Sequence, residues 1–188
     1  MDTNELADLD RIFFSATDES DEHAADSCCL SMAASSEVDR WGQCLDEYME
    51  TMRVLVAHTS GTSCDDTERI GWRFARPLVF TAHHTCELVL KKSIVSWKDA
   101  STTMKFEHKL GSLLDQERQV SNRQCVHAAW ENDLMSLLAH AYEAGRYPFN
   151  KKSAALFDEW CCVSAANLGR AVTQFVQLVE TGPWVVSP

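Results

Sequence analysis

PLVFTAHHTCELVLKKSIVSW, residues 77–97, decides how the chain folds. Leu78, Val79, Phe80, Ala82, Cys86, Leu88, Val89, Leu90, Ile94 and Val95 make it apolar on most sides. A helix with apolar residues all round is a buried one, usually the centre of a bundle. The helical stretch reaches back to about 68. Pro77 inside it either kinks the helix or starts a new one in its first turn.

The flanking segments carry helical periodicity with narrower apolar stripes. In 36–58, Trp41, Leu45, Tyr48, Met52 and Leu55 recur at spacings of four, three, four and three. Ser36 followed by Asp39 is a helix-start signal. Leu110, Leu113 and Leu114 mark a helix over about 106–118. Val126, Trp130, Leu134, Leu137, Leu138 and Ala141 mark another, beginning near Ser121 or Arg123 and reaching about 143. The last spans about 153–180, from Leu156 to Val179, and Gly182-Pro183 stops it. No segment alternates with period two. The expectation is an all-α bundle of about five helices over 37–182, with a C-terminal tail, 183–188. Seven glycines and four prolines leave few turns, which suits long helices.

The net charge of −11 is concentrated at one end. Residues 1–36 hold nine acidic groups and one basic group, against 19 and 16 in the rest. Leu6, Leu9, Ile12 and Phe13 would allow a short amphipathic helix there. The Ser-, Asp-, Glu- and Ala-rich stretch after it reads as an acidic, poorly ordered arm. Such a charge opposes unaided non-specific DNA binding. A nearly balanced body still leaves room for a local basic groove, for which Arg123, Arg146, Lys151 and Lys152 are candidates.

No signal peptide and no apolar run long enough for a membrane span is visible, so a cytoplasmic location without membrane attachment is expected. The eight cysteines are then thiols. They lack zinc-site spacing, and Cys28-Cys29 and Cys161-Cys162 are adjacent pairs. Nothing calls for a metal or another cofactor. Walker, dinucleotide, serine-hydrolase and HExxH signatures are absent, as are the paired Glu-x-x-His repeats of carboxylate-bridged metal bundles. Trp184, beyond the last helix, is a candidate for docking on a partner.

The central helix carries the most unusual polar residues. His84, Glu87 and Lys91 fall at i, i+3 and i+7, with His83 beside them. Charges on such a helix need partners, so the stripe reads either as an internal salt bridge or as a ligand or RNA contact.

His84-x-x-Glu87-Leu88-x-Leu90-Lys91, followed by His108-Lys109-Leu110-x-x-Leu113-Leu114, resembles the HEPN superfamily (higher eukaryote and prokaryote nucleotide-binding domains). The Arg146-Tyr147-Pro148 turn before a long last helix is similar to several of its branches. The resemblance covers about residues 70–180. It implies a four- or five-helix bundle, often a homodimer. It also implies action on RNA, frequently as a ribonuclease in a toxin or phage-defence system with an antitoxin or other partner protein. Active members pair an arginine with a histidine, with four to six residues between them. The arginine holds the phosphate, and the histidine supplies acid–base catalysis for metal-free attack by the RNA 2′-hydroxyl. Arg123 and His127, with only three residues between them, are the candidates here. Arg53 and His58, on the first helix, and Arg76 and His83 match the gap but not its place. His140-Ala141-Tyr142 has Met135 where the arginine would stand. The other class of function for such a chain is a non-enzymatic interaction or oligomerisation module.

Overall fold

The computed structural model describes residues 36–59, 70–98, 107–123, 127–146 and 163–181. They form five helices: α1 (Glu37–Thr59), α2 (Ile70–Trp97), α3 (Leu110–Ser121), α4 (Ala128–Arg146) and α5 (Ala165–Thr181). No strand occurs among the described residues, so the fold is an all-α bundle. The expected arm, 1–36, lies almost wholly outside the described residues, and so does the expected tail.

Each helix begins and ends for a local reason. At the start of α1, the Ser36 hydroxyl accepts the Asp39 N–H at 3.1 Å and donates to the Asp39 carboxylate at 2.6 Å. That satisfies one of the first-turn N–H groups, which have no partner within the helix. α2 is continuous through Pro77, with no break at the proline. The Thr81 hydroxyl donates to the Pro77 carbonyl one turn back.

Three boundaries differ from the sequence expectation. His108 and Lys109 are not helical, and α3 starts at Leu110. α3 ends where Asn122 turns left-handed, with φ 51° and ψ 32°, a geometry asparagine tolerates better than most residues. Arg123 therefore lies outside any helix and does not share a helical face with His127, which precedes α4. Val163 and Ser164 are not helical either. The Ser164 hydroxyl accepts the Asn167 N–H, so α5 starts at Ala165 rather than near 153. Residues 153–162 lie outside the described set.

α2 is the hub and packs on all four other helices. Its core residues include Leu78, Ala82, Cys86, Leu88, Val89, Leu90 and Ile94. Fully burying one such leucine or isoleucine stabilises the fold by roughly 1.5–3 kcal/mol, so this helix anchors the bundle. Cross-helix contacts set the directions. Glu37 meets Lys98 at 3.2 Å, Tyr48 meets His84, and His58 meets Phe74, so α1 and α2 are antiparallel. Lys92 pairs with Glu180 at 2.5 Å, which places the end of α5 near the last turns of α2. Tyr142 stacks on Phe80 and His83, so the end of α4 lies by the middle of α2. α1 and α5 approach closely at Gly169, where an added Cβ would stand 2.8 Å from Val56 Cγ2.

A candidate ligand site on the central helix

Two polar clusters interrupt the apolar core. The first forms on α2, where Glu87 faces inward and is only 2% exposed. Its Oε1 accepts from Lys91 Nζ at 2.5 Å, one helical turn away, and from His108 Nδ1 at 2.9 Å. Its Oε2 lies 3.6 Å from His84 Nδ1. Burial alone would raise the pKa of this carboxyl. Donors from His84, Lys91 and His108 outweigh burial and hold its pKa down at about 2. Glu87 is therefore an anion at neutral pH, and the Nδ1 of His108 must donate to it. The Nε2 on the far side of that ring then faces solvent, because the His108 side chain is 74% exposed. Lys91 is as buried as Glu87 and lies 5.7 Å from the centre of the Trp41 ring.

His84 links this cluster to a strip of rings. It meets Tyr48 of α1 edge-on, with centroids 4.5 Å apart, and lies nearly parallel to Phe80 at 6.1 Å. Phe80 is nearly parallel to Tyr142 of α4 at 5.8 Å, and Tyr142 stacks on His83 at 3.9 Å. Tyr48, Phe80, His84 and Tyr142 are each half-buried. His83 is buried, and its Nδ1 has no hydrogen-bond partner. Loss of hydration dominates there and pushes its pKa down to about 4, so this imidazole is neutral. The stripe thus divides. His84, Glu87 and Lys91 act together, and His83 belongs to the ring packing.

The second cluster ties α2, α3 and α4. Arg123, with a side chain 1% exposed, sits between two carboxylates. Its Nη1 and Nη2 donate to Glu131 at 2.8 and 2.9 Å, and its Nη2 and Nε donate to Glu117 at 3.0 and 3.2 Å. Ser93 of α2 donates to Glu117 at 3.1 Å, and Arg118 donates to Glu131 at 2.9 Å. Burial opposes the Arg123 charge. Its hydrogen bonds to Glu131 and Glu117 outweigh it and hold the guanidinium protonated more firmly than usual. Burial likewise opposes the Glu131 charge, and its bonds from Arg123 and Arg118 lower its pKa.

Of the sequence candidates, Arg123 thus has its donors turned inward, while His127 is exposed at the turn before α4, its carbonyl accepting the Glu131 N–H. Arg146 ends α4, and its side chain is outside the description, as are Lys151, Lys152 and Trp184. Cys86 is buried, which raises its thiol above the ordinary range and leaves it unreactive. No group of three or more metal-ligating side chains occurs among the described residues. No helix among them is long and apolar enough to cross a membrane.

Sequence reasoning missed Glu117 and Glu131. Both occupy apolar register positions, Glu117 with Leu110, Leu113 and Leu114, and Glu131 with Leu134, Met135 and Leu138. A carboxylate in an apolar stripe was the signal that a buried cation must meet it. Comparison with models of known families, with curated proteins and with solved structures finds no match to this chain.

Proposed function

We propose that this chain is a HEPN-like helical bundle that binds unpaired RNA without cutting it. The observation that carries the reading is the strip of half-buried rings, Tyr48, His84, Phe80 and Tyr142, beside the exposed imidazole of His108. Unpaired bases stack on such rings, and stacking tolerates any base. Burial of Arg123 supports binding over cleavage. A phosphate could reach its guanidinium only by displacing two carboxylates from a dry site.

A second reading is favoured by Leu137 of α4, which is 62% exposed, and by Trp97 at the end of α2. These residues suit a protein-interaction or oligomerisation module.

The test incubates full-length protein with a fluorescent, uridine-rich RNA 12-mer in the absence of metal. Anisotropy reports binding and a denaturing gel reports cleavage. Saturable binding with intact RNA is expected. Cleavage that disappears in His127→Ala would overturn the binding-only reading. Absence of both binding and cleavage would overturn the RNA reading and leave the interaction module.

A further inference from the structure

We infer that His84 and His108, both held on Glu87, bind the phosphate of a nucleotide unit whose base lies along the Tyr48–Phe80–Tyr142 rings. This deepens the RNA-binding reading and rests on it. It places the contact on the central helix and not at Arg123 and His127.

Both imidazoles turn Nδ1 toward one buried carboxylate, at 2.9 Å for His108 and 3.6 Å for His84. In an imidazole, Nε2 lies across the ring from Nδ1, so both Nε2 atoms point away from Glu87. An imidazolium between a carboxylate and a phosphate has both N–H groups bonded to anions, the arrangement in which its charge is best used. Lys91, buried beside Glu87, balances its charge, so the carboxylate does not present a bare negative charge to the incoming phosphate. The ring strip begins at His84 itself, which joins the phosphate end of the site to its base end.

His84 and His108 come from segments 24 residues apart in sequence, and Tyr48 and Tyr142 come from two further helices. The site therefore exists only in the folded chain. Its ligand chemistry is an aromatic base carrying a phosphate, found either in an RNA strand or in a free nucleotide.

Competition against the labelled RNA 12-mer separates these cases, with adenosine 5′-monophosphate, adenosine and inorganic phosphate as competitors of the full chain. His84→Ala and His108→Ala are the variants, because both side chains reach the surface. Arg170→Ala, exposed on α5, is the control, and thermal melts check the fold. Adenosine 5′-monophosphate should compete at least about tenfold better than adenosine or phosphate. Each histidine variant should weaken RNA and nucleotide binding by about tenfold, as expected for one charge-assisted hydrogen bond. His108→Gln, which keeps a donor, should recover part of that loss. RNA binding unchanged in folded His84→Ala and His108→Ala would overturn this site while the RNA reading stands. Phosphate competing as well as the nucleotide would overturn the base platform. Nucleotide binding without strand binding would support the site and overturn the RNA reading. No binding of any probe would overturn both.

Discussion

Replacing Arg123 by alanine removes five hydrogen bonds to two buried carboxylates. The two glutamates do not suffer equally. Glu131 keeps Arg118 at 2.9 Å, so one of its two cationic partners survives. Glu117, fully buried, keeps only the Ser93 hydroxyl at 3.1 Å. Breaking a buried pair by removing one partner costs about 3–5 kcal/mol, most of it here from stranding Glu117. With a urea dependence of about 2 kcal/mol per molar, the unfolding midpoint should fall by roughly 1.5–2.5 M. Arg118→Ala, which leaves Glu131 paired to Arg123, should cost about 1 kcal/mol. The companion variant Arg123→Met with Glu117→Gln removes the stranded charge and should recover at least half of the loss. Equilibrium urea unfolding followed by circular dichroism measures all three. A midpoint for Arg123→Ala within about 0.3 M of the parent would refute the reasoning. Arg123 would then be dispensable to the fold and available for a ligand.

Acidification should destabilise the protein in two stages. The His83 pKa is depressed to about 4, so the unfolded chain binds the extra proton between about pH 6.5 and 4, and stability falls as pH falls through that range. Glu87 is depressed to about 2, so its contribution is full above about pH 4.5 and is lost as pH falls toward 2, roughly 3 kcal/mol by linkage. His83→Phe keeps a ring against Tyr142 and removes the titrating group. Urea midpoints measured from pH 4 to 7 should flatten in this variant, and an unchanged slope would exclude His83 as the source. Gly169→Ala should destabilise by about 1–3 kcal/mol despite the better helix propensity of alanine, because the new methyl group meets the stiff Val56 side chain. Val56→Ala in the same chain should restore part of that loss. A stabilised Gly169→Ala melt would show that α1 and α5 are not in close contact.

Helix positions were legible because helical periodicity is local. In α1, Leu45 and Met52 of the Trp41–Leu55 stripe are buried, and Trp41, Tyr48 and Leu55 pack against the core. The central place of α2 followed from its lack of a polar face. Boundaries were legible where a side chain closes the helix end, as at Ser36. They were misread where a backbone angle does it, as at Asn122, because a left-handed residue leaves no periodic trace. The polar stripe on α2 was visible as a need for partners, and Lys91 lay close enough in sequence to be named.

What lay beyond reach was the identity of every partner supplied by a distant segment. His108 meets Glu87 across 21 residues, and Glu117 meets Ser93 across 24. Arg123 read as an exposed cation beside a helix start, because nothing local says that α3 and α4 close over it from either side. Pattern within a few residues decides which face of a helix avoids water. Which faces then meet depends on packing summed over the whole bundle, and that tertiary packing turned Arg123 inward and brought the distant His108 onto the carboxylate that His84 already faces.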